Sequence, residues 1–95
     1  MTTETARPAI RTSAIKAWLA DYLHNTLGVP SELIGPEATF ASFGLDSVDG
    51  VVMASELETA FAIVVDPALF LRNPTLDEVF RELEEEGVAE IIRDD

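Results

Sequence analysis

Residues 39–61 read TFASFGLDSVDGVVMASELETAF, and this stretch predicts a loop that leads directly into a helix. Asp46 is of the residue type that caps helix N-termini, and Asp49 suits the positive end of a helix. The predicted helix runs to about Phe61. Ser47 is therefore expected among the free backbone N–H groups of a first helical turn, where a phosphate group would be well placed.

Two apolar stripes run along this predicted helix. One consists of Met53, Ala54, Leu57 and Phe61, and the other, the valine stripe, of Val48, Val51, Val52 and Ser55. One stripe is enough to face a core, so the second is either buried as well or shown to a partner. Full burial is hard to arrange in a chain of 95 residues. We interpret the valine stripe as at least partly a recognition surface, with burial of both stripes as the alternative.

The N-terminal part of the chain predicts a leader followed by a helix. Residues 1–11 are polar and lack a hydrophobic period, which is typical of a flexible leader. Apolar residues then recur at steps of three and four from Ser13 to Leu27. Thr12 or Ser13 is the expected cap of this first helix, and Gly28 is its expected stop.

A long connection from Val29 to Leu45 separates the first two helices. Its prolines and glycines exclude a long helix. Its apolar residues are expected to pin it onto the core, because leaving them in water forfeits burial energy; they are Val29, Leu33, Ile34, Phe40, Phe43 and Leu45. We interpret Phe40 and Phe43 as seating the loop, with the lining of a cleft as the alternative.

The C-terminal part predicts two more helices and a tail. Asp66-Pro67 indicates the start of a short third helix, and Asn73-Pro74 its end. Thr75 with Glu78 forms a capping box for a fourth helix. The tail, residues 88–95, is interpreted as one or two further amphipathic helical turns.

These segments predict an all-α fold. It is a four-helix bundle of three main helices plus a short third helix, with a long loop between helices 1 and 2. Residues 12–87 are expected to form the single domain, and no clear strand pattern is found.

The composition excludes several classes of function. Six basic and 18 acidic residues give a net charge of −12, which argues against binding to nucleic acid or to an anionic membrane surface. A chain without cysteine has no disulfide, thiolate metal site or cysteine nucleophile. Because no apolar run approaches a membrane span and the start lacks a secretory signal, we expect a cytoplasmic protein.

Residues 43–49, FGLDSVD, resemble the prosthetic-group site of acyl carrier proteins, in which a serine carries a 4′-phosphopantetheine arm. The likeness extends to Thr39–Phe43, to Glu56–Phe61 and to Asn73–Leu76. It covers the chain from about Ile15 to Leu83, and the order of these segments makes it specific.

The resemblance implies that Ser47 carries the arm and that Gly44, Leu45 and Asp46 shape its site. A separate phosphopantetheinyl transferase would move the arm from coenzyme A, and the arm's thiol would hold acyl intermediates as thioesters. The chain is then a monomeric carrier without catalytic residues or a metal, since the working sulfur is imported. Its partners would be an acyl-loading enzyme (an acyltransferase or an acyl-adenylating ligase) and a ketosynthase or other acyl-processing enzyme. The expected docking face consists of Val48, Asp49, Val51, Val52 and Glu56.

Two residues near Ser47 depart from the pattern of acyl carrier proteins and indicate which kind of pathway this carrier serves. Val52 stands where many fatty-acid-type carriers have an acidic residue, and Gly50 is a weak helix former. Both make the surface near Ser47 more apolar, which favours a polyketide or specialised fatty-acyl pathway. Asp46 favours an acyl carrier over a peptidyl or aminoacyl carrier of nonribosomal synthesis. A peptidyl or aminoacyl carrier remains an alternative, as does a helical adaptor without a prosthetic group.

A serine hydrolase is disfavoured by the spacing Gly44-x-x-Ser47-x-x-Gly50, which is not the Gly-x-Ser-x-Gly of a nucleophile elbow. The single histidine, His24, falls near the end of the first predicted helix and is interpreted as an exposed polar residue.

Overall fold

A computed structural model describes residues 7–35 and 38–94 of the chain. Four α-helices follow one another in these residues: α1 Thr12–Asp21, α2 Ser47–Phe61, α3 Leu69–Arg72 and α4 Leu76–Glu85. A π-helical turn, Tyr22–Thr26, extends α1, and the long connection contains two 3-10 turns, Ser31–Leu33 and Phe40–Phe43. Two short strands, β1 Ala9–Arg11 and β2 Glu90–Ile92, join the two ends of the described chain. The predicted bundle of three main helices and one short helix is confirmed.

A single apolar core lies between the helices. Each main helix places at least one fully buried side chain in it, and the largest are Ile15, Leu23, Met53, Leu57, Leu69 and Val79. Trp18 is only partly buried at its edge, where its ring stacks on that of Tyr22 with 5.3 Å between centroids. No helix in residues 7–35 and 38–94 has the length and hydropathy needed to cross a bilayer.

The start of α1 differs from the prediction. Thr12 and Ser13 are its first two residues and not its cap, and the capping position belongs to Arg11, whose side chain makes no capping bond. The carboxylate of Asp94 takes this role, because it accepts hydrogen bonds from the Ser13 N–H at 3.0 Å and from the Thr12 hydroxyl at 3.1 Å. The helix is thus capped from the other end of the chain.

The strands are the second difference. β1 and β2 pair in parallel, with Ile10 opposite Ile91 and both side chains buried. The expectations of a flexible leader at Ala9–Arg11 and of helical turns at Glu90–Ile92 are therefore wrong. One buried residue in a strand of three gives no readable period. Residues 1–6 of the predicted leader lie outside the described residues, and the domain limits 12–87 remain a prediction.

The long connection is anchored by some of its apolar residues. Val29 and Phe40 are buried, and the Phe40 N–H donates to the Pro74 carbonyl at 3.0 Å. Leu33, by contrast, is exposed, so the expectation that it pins the loop is wrong. Its 3-10 turn points it into solvent, since such a short turn need not face the core with every side chain.

A side chain caps the start of α4, whereas α3 has no side-chain cap and follows a turn made by Asp66. The Asp66 carboxylate accepts from the Ala68 N–H at 2.8 Å, so the predicted aspartate does turn the chain, although α3 itself begins at Leu69. Thr75 accepts from the Glu78 N–H at 3.4 Å and its hydroxyl donates to the Glu78 carboxylate at 2.8 Å. The predicted pair thus closes the start of α4, with the reciprocal bond made by the hydroxyl.

Candidate functional site

The first turn of α2 is fixed by two aspartates. Asp46 is the N-cap, and its carboxylate accepts from the Asp49 N–H at 2.8 Å. The Asp49 carboxylate in turn accepts from the Asp46 N–H at 3.2 Å, which completes a reciprocal capping box. The predicted N-cap is confirmed, and Ser47 is the first residue of the helix.

The chain enters this helix through a sharp turn at Gly44. Gly44 has φ 77° and ψ 21°, a left-handed conformation that L side chains rarely adopt. A Cβ atom there would meet nothing within 4 Å, so the backbone angle and not crowding requires glycine. Gly44 ends the 3-10 turn that begins at Phe40, and half-buried Leu45 then leads to Asp46. The structure therefore brings the predicted site residues together at the mouth of α2.

Ser47 is exposed at the rim of a cleft of about 190 Å³. The cleft lies between the loop, α2 and α3, and its apolar lining includes Phe40, Leu45, Met53, Phe70 and Leu71. Within residues 7–35 and 38–94 the Ser47 hydroxyl has no hydrogen-bond partner. It is therefore accessible and not committed to a structural bond.

The backbone around Ser47 is suited to an anion. The Asp49 N–H is taken by Asp46, and the Gly50 N–H begins the helical ladder by donating to the Asp46 carbonyl at 3.1 Å. The N–H groups of Ser47 and Val48 have no acceptor in the described part of the chain. Together with the helix dipole, they can stabilise a phosphate group on the Ser47 oxygen.

The wider surroundings of the site are acidic. The sequence has no lysine or arginine between Lys16 and Arg72, so no basic residue on this stretch compensates Asp49 or Glu56. The pKa of Tyr22, at the end of α1, is raised above its ordinary value. Burial is the largest cause, and the negative charges of Glu56 and Asp49 add to it. The charges of Asp49 and Glu56 therefore act on Tyr22 at the end of α1.

The two stripes of α2 have different surroundings. Met53, Ala54 and Leu57 are buried, whereas Val48, Val51 and Val52 are 67%, 41% and 45% exposed. The alternative in which both stripes lie in the core is therefore wrong. Glu56 is also exposed, while Asp49 is half-buried. The docking role of these residues stays a prediction.

Sequence reasoning missed Leu71. This residue of α3 is 50% exposed and lines the same cleft as Ser47. Its helix has four residues, too few for a period to show which side chain would face outward. The stripes of α2 gave no indication that a second helix also exposes an apolar side chain beside the cleft.

Among the residues that the structure describes, no hydrogen-bonded histidine and no metal-binding group lies at Ser47. The His24 Nδ1 lies 2.9 Å from the Val29 carbonyl, so it closes the end of the first helix. No group of three His, Asp or Glu side chains among the described residues is placed to hold a metal ion. In the described part of the chain, the Ser47 hydroxyl is not hydrogen-bonded to a basic side chain.

Comparison with known proteins identifies the class of this site. Residues 17–83 match the family described as "Phosphopantetheine attachment site". The acyl carrier protein TtuC of Teredinibacter turnerae is 34% identical over 75 residues, which cover 79% of this chain and 86% of that protein. The chain therefore belongs to the phosphopantetheine-attachment family of carrier proteins.

Two large synthases contain similar segments. Polyketide synthase PksR of Bacillus subtilis is 35% identical over 75 residues, or 75% of this chain and 3% of the synthase. A phenolphthiocerol/phthiocerol polyketide synthase of Mycobacterium tuberculosis is 32% identical over 63 residues, or 66% of this chain and 3% of that protein. The chain spans only a small fraction of the length of these synthases.

Membership of the family identifies residues 17–83 as a carrier domain, with covalently bound 4′-phosphopantetheine as its prosthetic group. The residues present fit this group. An exposed hydroxyl, two N–H groups without acceptors in the described chain and an apolar cleft meet at the start of α2.

Proposed function

We propose that Ser47 is the attachment residue and that the protein carries acyl intermediates in a polyketide or specialised fatty-acyl pathway. The observation that carries the proposal is the position of Ser47, an exposed hydroxyl on the first residue of a capped helix inside the matched segment. The likeness to segments of two polyketide synthases supports the pathway.

The Ser47 oxygen forms a new bond to the pantetheine-bearing phosphorus of coenzyme A, and the diphosphate bond of the coenzyme breaks. Adenosine 3′,5′-bisphosphate leaves, and the hydroxyl proton passes to a base on the transferase, because no side chain in the described part of this chain is hydrogen-bonded to the Ser47 hydroxyl. The free N–H groups of Ser47 and Val48 stabilise the resulting phosphodiester anion. When bound, the arm supplies a thiol that holds an acyl group as a thioester.

The partners dock on the face formed by Val48, Asp49, Val51, Val52 and Glu56. The exposed valines supply apolar area that a partner can bury, which contributes affinity. The two carboxylates steer basic partner surfaces toward the face and add specificity. These partners are the phosphopantetheinyl transferase, the acyl-loading enzyme and a ketosynthase or other acyl-processing enzyme. A cytoplasmic location fits this role, because the arm comes from coenzyme A.

The proposal is tested by intact mass after incubation with coenzyme A and a broad-specificity phosphopantetheinyl transferase. The wild type and Ser55→Ala, which changes another exposed serine of α2, should each gain one 4′-phosphopantetheine. Ser47→Ala should gain none while its helical circular dichroism stays unchanged. Modification of Ser47→Ala would refute the assignment, and a wild type that several transferases leave unmodified would favour the adaptor alternative.

A second experiment distinguishes an acyl carrier from a peptidyl or aminoacyl carrier. The modified protein is offered to loading enzymes that select malonyl or fatty acids and to adenylating enzymes that select amino acids. Loading by the first group is expected. Loading by amino-acid-selecting enzymes alone would identify a peptidyl carrier.

A further inference from the structure

Leu71 is exposed because the other three residues of α3 are fixed by burial or by ion pairs. Leu69 and Phe70 are buried, and the Phe70 ring meets that of Phe40 edge-on with 5.1 Å between centroids. Arg72 is paired with Glu82 and lies 3.3 Å from the Asp66 carboxylate. Turning α3 to bury Leu71 would expose Phe70 and break these ion pairs. The half-exposed leucine is therefore a fixed feature of this surface.

Gly50 sets the place of Leu71 against α2. A Cβ atom at Gly50 would lie 2.9 Å from Leu71 Cδ2 and 3.6 Å from its Cγ. The leucine side chain thus occupies the space that any other residue at position 50 would fill. Helix propensity alone would favour alanine here, so the close approach supplies a physical reason for glycine.

Both residues border the Ser47 cleft. An enzyme that joins a phosphorus atom to the Ser47 oxygen must bring its own surface against the surroundings of that oxygen. A specific protein contact covers about 800 Å² on each partner. Leu71 lines the same cleft as Ser47, so we expect a contact of that size centred on Ser47 to cover Leu71 as well.

We propose that Leu71 is a specificity-determining contact for the phosphopantetheinyl transferase that modifies Ser47, and that Gly50 is the positioning residue that sets it there. The inference rests on the proposed function of Ser47. Leu71 is an exposed apolar side chain of α3 beside the cleft of Ser47, in addition to the exposed valines of α2.

The chemistry of the face defines the chemistry of the partner. Its centre is apolar and its charged side chains, Asp49 and Glu56, are acidic, with no lysine or arginine between positions 16 and 72. The matching transferase surface is apolar opposite Leu71 and carries lysine or arginine opposite the two carboxylates. The transferase then contacts α2 and α3 of the carrier at the same time.

The test measures kcat and KM for modification of the apo protein by a broad-specificity transferase with coenzyme A. Leu71→Ala should raise KM about five- to tenfold with kcat nearly unchanged, as expected for loss of a buried apolar anchor. Leu71→Met should restore most of the wild-type KM. The control is Val64→Ala, a change of a 75%-exposed valine. It follows the far end of α2, where Phe61 lies about 21 Å along the helix axis from Ser47.

The role of Gly50 is isolated by a double-mutant cycle. Gly50→Ala should raise KM in the wild-type background, because the new methyl group displaces Leu71, and should have little further effect in Leu71→Ala. Calorimetric titration of the apo variants with the transferase, without coenzyme A, should show the same order of Kd values. Circular dichroism should show all variants folded.

The inference is overturned if Leu71→Ala matches Val64→Ala in KM and Kd, or if Gly50→Ala is equally harmful in both backgrounds. These results leave modification of Ser47 intact. If the wild type is not modified at Ser47 at all, the proposed function itself fails, and this inference fails with it.

Discussion

The Asp94 carboxylate accepts hydrogen bonds from the backbone N–H and the hydroxyl of Ser13, at 3.0 and 2.6 Å, across 81 positions of sequence. This contact, with the β1–β2 pair, ties the two ends of the described chain to the start of α1. The bonds from Ser13 are the largest cause of the lowered pKa of Asp94. A residue that is far away in sequence thus caps the first helix.

The Asp94 cap gives the stability of the protein a pH dependence. The pKa of Asp94 is lower in the folded state than in the unfolded state, whose ordinary value is about 3.9. Its contribution is therefore present above about pH 4 and is lost as the pH falls through the folded-state pKa. Asp94→Asn should lower the midpoint of urea unfolding at pH 7, and its difference from wild type should shrink toward pH 3.

The control variant is Glu85→Gln. Like Asp94→Asn, it removes one negative charge, but from an exposed position of α4. In a chain of net charge −12, removing a charge relieves some repulsion, so Glu85→Gln should be neutral or slightly stabilising. An Asp94→Asn protein as stable as Glu85→Gln at pH 7 would contradict the cap.

Phe40 is predicted to seat the long loop. Its ring contacts those of Phe43 and Phe70 edge-on, and its backbone N–H binds the Pro74 carbonyl. Because Phe40 is buried, Phe40→Ala should cost about 3–5 kcal/mol of unfolding free energy, measured by urea denaturation. Phe43→Ala, in the same turn but half-buried, should cost about 1–2 kcal/mol. A loss below about 1 kcal/mol in Phe40→Ala would contradict the seating role.

Glu56 is predicted to steer basic partners without stabilising the fold. It is exposed, and Glu56→Gln should leave the unfolding midpoint unchanged. At low ionic strength the KM for the transferase should rise about two- to fourfold, the effect of a single charge at the rim of an interface. At 1 M salt, where the Debye length is about 3 Å, this difference should vanish. An equal rise in Glu85→Gln, or a rise that persists at high salt, would be evidence against steering.

The features that could be predicted from sequence depend on neighbouring residues. Asp46 lies directly before the helical period, so the N-cap could be predicted, and with it the start of α2 and the place of Ser47. The reciprocal bond from the Asp49 carboxylate was not predicted. The end of α2 at Phe61 was as clear as its start. The motif around Ser47 also gave the family, which the match over residues 17–83 confirms.

The features that could not be predicted depend on contacts between distant residues. The cap of α1 comes from Asp94, and β1 and β2 exist because Ile10 and Ile91 are buried against the same core. Gly50 appeared in the sequence only as a weak helix former. Glycine is favoured at this position because Leu71 approaches it closely, and this contact could be recognised only once the position of α3 was known.

The most direct test of the central claim localises the arm in protein purified from its native cells. Cleavage after lysine and arginine leaves residues 17–72 as one peptide, and its four serines are Ser31, Ser42, Ser47 and Ser55. Fragmentation of this peptide by tandem mass spectrometry should find one 4′-phosphopantetheine, on Ser47. An arm on another serine, or a peptide that is unmodified in every growth phase, would contradict the account.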